Sequence, residues 1–165
     1  MKTVYLIRHA KSSWKDPALK DIERPLNKRG FRDAPFMANL LNGKGVKPNR
    51  LITSPANRAY TTATFFAEVL GIPKPSIDVR KKIYEAYPND ILSLIKYLPN
   101  EWSVICLFGH NPTFTSLANL FSEEYIPNVP TCGIVHIEAS VASWDAFHPD
   151  HAKVVDFHYP KQYFD

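Results

Sequence analysis

Residues 3–9, TVYLIRH, decide the fold that we expect for the whole chain. Thr3 to Ile7 form an uninterrupted run of apolar and β-branched residues, which predicts a strand buried on both faces. The run ends at Arg8 and His9, so the predicted strand carries two chemically active side chains at its carboxyl end. In open α/β sheets, ligands bind in the crevice outside the carboxyl ends of the strands. We therefore expect a functional site at this point.

The same arrangement recurs later in the chain. Ser103 to Phe108 is again nearly all apolar and predicts another buried strand, which is followed closely by His110. Asn111 is typical of a helix N-cap and Pro112 of a first helical position, so the next helix is predicted to run from Pro112 to Phe121. The histidine ring is therefore expected to face the crevice at the end of the first strand.

The segment after the first strand is predicted to contain a loop and a helix. Lys11 to Pro25 is polar and interrupted by prolines, which is typical of a loop over the edge of a sheet. Asn27 suits an N-cap, and apolar residues recur at helical spacing from Phe31 to Leu41. Pro35 falls inside this helix and is expected to kink it, and Gly43 is expected to end it.

Two further junctions carry charged residues. Leu51 to Thr53 predicts a short strand, and Arg58 follows in the first turn of the next helix. A helix start presents free N–H groups and a partial positive charge, so an arginine there adds to an anion site. Asp78 to Ile83 is expected to be extended, and Tyr84 to Pro88 to form a turn, containing Glu85, that leads into another helix.

The last part of the chain is predicted to add antiparallel strands to the sheet. Gly133 to Ala139 alternates between apolar and polar residues, and Val154 to Tyr159 supplies a further strand. No internal repeat, low-complexity tract or linker interrupts the sequence. We therefore expect residues 1–165 to form one α/β domain, a three-layer sandwich with a mostly parallel central sheet.

Charge is concentrated beside the predicted site. The net charge of the chain is +4, and residues 8–32 hold eight basic and three acidic residues, a local balance of +5. Such a field attracts an anionic ligand and raises its local concentration. The sequence contains no RNA-binding aromatic motif, no paired zinc-ligand spacing and no basic helix face, so we do not expect nucleic acid as a partner.

Cysteine usage and hydropathy bear on where the protein works. Cys106 lies in an apolar run and Cys132 in a turn region, which is no disulfide framework, so a reducing, cytoplasmic environment is expected. The N-terminal apolar run is too short for a signal peptide, and no run is long enough to span a membrane. We expect neither secretion nor a membrane partner.

The histidines outside the two strand ends predict no metal site. His148 and His151 flank Asp150 in a polar loop without a further ligand nearby, so solvated surface positions are expected. His136 and His158 lie on predicted strands and are expected to face outward or to be satisfied in the core. The sequence therefore indicates no metal and no other cofactor.

The junctions together predict a site for phosphoryl transfer. A parallel sheet brings its strand ends to one edge, and the residues delivered there are Arg8, His9, Arg58, Glu85 and His110. The guanidinium groups match phosphate oxygens in a bidentate way, and a neutral imidazole is a competent nucleophile toward phosphorus. This set suits phosphoryl transfer without a metal.

Five sequence motifs resemble those of a known family. They are LIRHAKSSW at 6–14, RPLNKRGFRDAPFMA at 24–38, SPANRAYTTA at 54–63, YEA at 84–86 and GHNPT at 109–113. Their order and spacing are similar to those of the histidine phosphatase superfamily, and most similar to the short SixA-type phosphohistidine phosphatases. The resemblance extends through Leu120 and implies a phosphoglycerate mutase-like fold.

The resemblance also implies a role for each site residue. His9 would take the phosphoryl group and become phosphohistidine, and Glu85 would protonate the leaving group. Arg8, Arg58 and His110 would hold the phosphoryl oxygens and stabilise their charge in the transition state.

Two positions depart from the family pattern. Ala10 replaces the usual glycine after the nucleophile, and Lys15 stands where many members have an asparagine that contacts phosphate. Lys15 is therefore a possible substrate contact, and Lys11 and Ser12 are close enough in sequence to line the mouth of the site with it.

Three functions remain open at this point. The favoured one is a metal-independent phosphatase that removes phosphate from phosphohistidine in a protein, because family members that act on sugar phosphates commonly carry inserted segments over the site. At 165 residues there is little room for such segments. The alternatives are a phosphomonoesterase for a small phosphorylated molecule, such as a sugar phosphate or nucleotide, and a catalytically idle phosphate-binding or interaction module. An intact nucleophile argues against the idle module.

Overall fold

The computed structural model describes residues 1–164 and contains, within them, a six-stranded sheet with β1 (Lys2–Arg8) near its centre. The other strands are β2 (Arg50–Thr53), β3 (Asp78–Val79), β4 (Val104–Gly109), β5 (Ile134–Ala139) and β6 (Ala152–His158). Their spatial order is β3, β2, β4, β1, β5, β6.

The pairing of the strands confirms a mostly parallel sheet with antiparallel strands near the C-terminus. β1 pairs in parallel with β4, and β2 pairs in parallel with both β4 and β3. β5 is antiparallel to β1, and β6 is antiparallel to β5. The carboxyl ends of the first four strands therefore share one edge of the sheet.

Helices cover both faces of the sheet and give the three layers that were predicted. α1 (Lys28–Gly43) and α2 (Asn57–Leu70) pack with Tyr5 and Ile7 on one face, while α3 (Pro88–Lys96) and α4 (Thr113–Phe121) pack with Leu6 on the other. Successive side chains of a strand point to opposite faces, so the apolar run in β1 supplies both cores. Within residues 1–164 no helix is long and apolar enough to cross a bilayer.

The start of α1 follows the sequence prediction. The Asn27 side chain accepts a hydrogen bond from the Gly30 backbone N–H at 2.9 Å, which is the expected N-cap. The helix continues through Pro35 as far as Gly43. Preceding it, the 11–25 loop contains a short 3-10 turn at Asp21–Glu23.

Two local predictions were wrong. Only Asp78–Val79 of the expected 78–83 strand is extended, and Lys81–Ile83 forms a 3-10 turn, because the neighbouring β2 ends at Thr53 and offers no further ladder partner. α4 begins at Thr113, and Pro112 occupies the N-cap position instead of Asn111. The Asn111 side chain still accepts from the Thr115 backbone N–H, at 3.1 Å.

Candidate active site

The ends of β1 and β4 hold two histidine rings side by side. Arg8 pairs with Gly109 in the parallel ladder, and the His9 backbone N–H donates to the Gly109 carbonyl oxygen at 3.0 Å. The centroids of the His9 and His110 rings are 5.3 Å apart. Two strands that are distant in sequence thus bring the two histidines together at one edge of the sheet.

The ring of His9 is buried and fixed by a backbone contact. Nδ1 lies 2.7 Å from the Ala10 carbonyl oxygen, which can only accept a hydrogen bond, so Nδ1 carries the proton of the neutral ring. Burial has the largest effect and lowers the pKa of His9 to about 3, against the opposing effect of this hydrogen bond. The nearby cations Arg8 and Arg58 also lower the pKa of His9. At neutral pH the ring is uncharged, with a lone pair on Nε2.

The guanidinium of Arg8 is only partly satisfied by the protein. Its Nη1 donates to the Val129 carbonyl oxygen at 3.0 Å, whereas its Nε is buried and has no acceptor among residues 1–164. Burial, followed by repulsion from Arg58, lowers the pKa of Arg8. A buried donor without an acceptor is unfavourable, and two neighbouring cations repel each other, so an anion with several oxygens would relieve both conditions.

Arg58 lies in the first turn of α2 and its side chain is buried. Its Nη1 donates to the Asp21 backbone carbonyl at 2.7 Å, and its Nη2 donates to Asp21 Oδ2 at 3.0 Å. The N-terminus of α2 adds the partial positive charge of a helix start. Arg58 lies close enough to Arg8, His9 and His110 for its charge to lower the pKa of each of them.

His110 is held by a serine that the sequence analysis did not single out. Its Nε2 lies 2.8 Å from Ser54 Oγ, which also accepts from the Ala56 backbone N–H at 3.1 Å. A serine hydroxyl both donates and accepts, so Ser54 can hold either neutral tautomer of His110 through Nε2. Burial, followed by Arg58, lowers the pKa of His110 to about 4, so this ring is also neutral at neutral pH.

Glu85 lies at the turn before α3, beside a cavity. The cavity has a volume of about 460 Å³, and its lining includes Glu85, Tyr87, His110 and Phe114. Glu85 is exposed, and its backbone adopts the left-handed region with φ 58, which is uncommon for residues other than glycine. The structure therefore places Glu85 and His110 on the lining of one cavity.

The three predicted substrate contacts lie in the 11–25 loop, in different surroundings. Ser12 is buried and its Oγ accepts a hydrogen bond from Arg24 Nη2 at 2.6 Å, so its hydroxyl is engaged within the loop. Lys11 is half-buried and Lys15 is exposed. A direct contact of Lys11, Ser12 or Lys15 with substrate remains a prediction.

Asp21 and Tyr84 complete the surroundings of Arg58. The Tyr84 hydroxyl donates to Asp21 Oδ2 at 2.6 Å, and Arg24 Nη1 donates to Asp21 Oδ1 at 3.0 Å. The hydrogen bond from Tyr84, with further effects of Arg58 and Arg24, lowers the pKa of Asp21 to about 2 despite partial burial. The Tyr84 ring in turn meets the His110 ring edge to face, with centroids 5.7 Å apart.

One sequence signal could have pointed to these residues. Asp21 is one of only three acidic residues in the basic stretch 8–32, and it precedes Arg24 by three positions. Ser54 directly follows β2, as His9 follows β1.

The histidines outside the site each contact different neighbours. Among residues 1–164, no three His, Cys, Asp or Glu side chains converge closely enough to hold a metal ion. His148 contacts Asp150 at 3.4 Å on the surface, whereas His136 stacks on Tyr5 with ring centroids 4.4 Å apart. His158 Nε2 lies 2.7 Å from Asp156 Oδ2.

Comparison with known families identifies the chain. The sequence model described as the histidine phosphatase superfamily (branch 1) matches residues 4–88, which include both arginines, the first histidine and Glu85. This chain belongs to the histidine phosphatase superfamily. An uncharacterised chloroplast protein of Arabidopsis thaliana is 30% identical to this histidine phosphatase over 152 residues, which are 87% of this chain and 69% of that protein.

Solved structures identify the type within the superfamily. The histidine phosphatase is 29% identical to a protein assigned as the phosphohistidine phosphatase SixA of Agrobacterium tumefaciens, with a TM-score of 0.80 over 96% of this chain and 98% of that one. A protein histidine phosphatase SixA in complex with tungstate has a TM-score of 0.82 at 22% identity, over 97% of this chain and 98% of that one, and shares the fold. The protein is thus a SixA-type enzyme with phosphatase activity toward phosphorylated substrates.

Proposed function

We propose that this histidine phosphatase works through a covalent phosphoryl intermediate on Nε2 of His9 and needs no metal ion. The observation that carries the proposal is the state of the His9 ring. Its Nδ1 is committed to the Ala10 carbonyl and its pKa is lowered to about 3, so Nε2 offers a lone pair at neutral pH. Two arginines and a second imidazole surround this nucleophile, as a dianionic phosphoryl group requires.

The proposed reaction has two steps. In the first, an N–P bond forms at Nε2 of His9 while the bond from phosphorus to the leaving group breaks, and Glu85 donates its proton to the departing atom. Arg8, Arg58 and His110 stabilise the charge on the phosphoryl oxygens. In the second, water attacks phosphorus, Glu85 accepts a proton from that water, and inorganic phosphate leaves as His9 is restored.

We propose phosphohistidine in a protein as the favoured substrate and the cytoplasm as the place of action. The segment from β3 to α3 spans only residues 80–87, with a single 3-10 turn, so it is short for a roof over the site. Glu85 is exposed beside an accessible cavity, which suits a leaving group that is attached to a large partner. Lys11 and Lys15 are proposed to contact this partner, whereas the buried Ser12, which was also predicted as a contact, is engaged by Arg24.

Covalent labelling tests the mechanism. The protein is incubated briefly with radiolabelled phosphoramidate, quenched in alkali and then exposed to acid. We expect label that survives alkali and is released by acid, as for phosphohistidine, in the wild type and none in His9→Ala. His158→Ala serves as the control, because this histidine lies on β6, separated from β1 by β5, and its ring is held by Asp156, so it should label like the wild type.

Labelling and steady-state turnover assays together decide between the three functions considered. Equal labelling of wild type and His9→Ala would exclude the covalent mechanism. Labelling at His9 without turnover of any phosphorylated substrate would favour the idle module. Faster turnover of sugar phosphates or nucleotides than of phosphohistidine proteins would favour the small-molecule enzyme.

A further inference from the structure

Asp21 contacts Arg58 at two points. The Asp21 backbone carbonyl accepts from Nη1 of Arg58 at 2.7 Å, and Oδ2 accepts from Nη2 at 3.0 Å. A guanidinium has five N–H donors in a rigid, planar arrangement. These two bonds fix the plane and direction of the Arg58 side chain and leave three donors for an anion.

Asp21 is itself held in place by a rigid frame. Its Oδ1 accepts from Arg24 Nη1 at 3.0 Å, and its Oδ2 also accepts from the Tyr84 hydroxyl at 2.6 Å. Arg24 is buried and is fixed in turn by Ser12 Oγ, at 2.6 Å, and by the Ser13 carbonyl, at 3.1 Å. The Asp21 carboxylate therefore links the Arg58 side chain to the 11–25 loop, so the loop fixes where Arg58 lies.

The charge of Asp21 has a different effect from its geometry. The carboxylate is ionised above pH values of about 2, because Tyr84, Arg58 and Arg24 lower its pKa to that value. A negative charge beside a phosphoryl-binding arginine weakens the attraction of the site for phosphate. Any contribution of Asp21 to catalysis must therefore come from the orientation it gives Arg58. Attraction of the phosphoryl group alone would be stronger without the Asp21 carboxylate.

We infer that Asp21 is a positioning residue, whose carboxylate and carbonyl hold the Arg58 guanidinium in the orientation that phosphoryl transfer requires. The inference rests on the proposed function, in which Arg58 stabilises the transition state. Orientation of a charged group matters more in the transition state than in the bound ground state, so the contribution of Asp21 lies in kcat.

Steady-state kinetics with phosphoramidate, and inhibition by inorganic phosphate, test the inference in Asp21→Asn and Asp21→Ala. We expect kcat to fall by about ten-fold to a hundred-fold. The inhibition constant of inorganic phosphate should remain within about two-fold of the wild-type value or decrease, since a repelling charge is removed. A general collapse of the site would instead raise the inhibition constant, and this result would overturn the inference.

Asp16→Asn is the matched control, because Asp16 lies in the same loop and its described hydrogen bond is local, to the Ala18 backbone N–H at 3.0 Å. This variant removes the same charge from the loop without touching the arginine. It should keep the wild-type kcat. A loss of kcat equal to that of Asp21→Asn would mean that the charge of the loop, not the contact with Arg58, is responsible.

A double-mutant cycle with Arg58→Lys separates positioning from loop stability. Lysine lacks the planar guanidinium, so Asp21→Asn should cost less than about two-fold in kcat when it is added to Arg58→Lys. Equal losses in both backgrounds would contradict the inference. If Arg58→Lys and His9→Ala themselves retained wild-type turnover, the proposed function would fail. If those two variants lost turnover but Asp21→Asn did not, the proposed function would stand and only the inference about Asp21 would fail.

Discussion

His9 and Glu85 differ in how firmly the structure holds them. His9 is buried, hydrogen-bonded to its neighbour and surrounded by charges, whereas Glu85 is exposed at the edge of a cavity. A nucleophile must meet phosphorus at one geometry, but a proton donor can serve leaving groups of several shapes. The contribution of Glu85 should therefore depend on the leaving group more than that of His9 does.

Glu85→Gln should distinguish phosphate esters from phosphohistidine. An alkoxide is a poor leaving group, so turnover of an ester should fall by about a hundred-fold or more without the acid. An imidazole can leave after protonation by solvent, so turnover of a phosphohistidine protein should fall by less than about ten-fold. Steady-state assays of both substrates measure the difference, with the exposed Glu68→Gln on α2 as the control. Equal losses on both substrates would contradict the role that we propose for Glu85.

The sequence was sufficient to predict the strand-end residues but not the contacts that orient them. Arg8, His9 and His110 directly follow or end apolar runs, and a buried run has few ways to be placed in a sheet. Asp21 meets Arg58 only through the path of the 11–25 loop, which depends on many weak local interactions. Patterns of hydrophobicity do not encode such a path.

At the scale of elements, the junction between β4 and α4 depends on a glycine. A Cβ atom added at Gly109 would lie 2.6 Å from Cζ of Phe114 and 3.1 Å from a methyl carbon of Ile83. The first-turn ring of α4 thus lies directly against the end of the strand. The absence of a side chain at this position allows the strand, the helix and the adjoining histidine to approach closely.

Gly109→Ala should therefore reduce both stability and turnover. Forcing a methyl group into this contact should lower the free energy of unfolding by about 1–3 kcal/mol. Turnover should also fall, because His110 is the next residue. Urea denaturation and steady-state kinetics test this, with Gly43→Ala as the control. No neighbouring atom lies within 4 Å of a Cβ at Gly43 in α1, so this change should be neutral or should stabilise by about 0.5 kcal/mol. Equal stability of the two variants would exclude the packing explanation.

Helices and strands were predicted well where the hydrophobic pattern is long. The predictions were wrong where the chain changes direction. The run in β1 and the N-cap at Asn27 were evident from composition. The 78–83 strand is shortened because β2 ends, and α4 begins one residue later than predicted, after an Asn111 side chain that bonds to the Thr115 backbone N–H. Neither feature leaves a periodic signature in the sequence.

At the scale of the whole molecule, burial of two neutral histidines couples stability to pH. The pKa of His9 is lowered from 6.5 to about 3, and that of His110 from 6.5 to about 4. At pH values between these folded pKa values and 6.5, the two histidines bind protons in the unfolded chain but not in the folded one. The stabilising effect is complete above pH 6.5 and is lost as the pH falls toward the folded values.

The free energy of unfolding should therefore decrease as the pH falls below about 6.5, and His110→Gln should weaken this dependence. Each buried histidine contributes up to about 1.4 kcal/mol per pH unit, so between about pH 5.5 and 4.5 the slope of the variant should be smaller by roughly 1 kcal/mol per pH unit. Denaturant unfolding at several pH values measures both slopes. Parallel slopes for wild type and variant would show that His110 is not buried in its neutral form.

The position of the two histidines directly after neighbouring central strands has a consequence for divergence within the family. The two histidines follow strands that are paired with each other, β1 and β4, whereas the 11–25 and 80–87 segments that border the site are connections between elements. Connections tolerate insertion and replacement far better than paired strands do. Exchange of these segments would change the surroundings of the leaving group, and with them Glu85 and Asp21, while His9 and His110 keep their places at the ends of the paired strands.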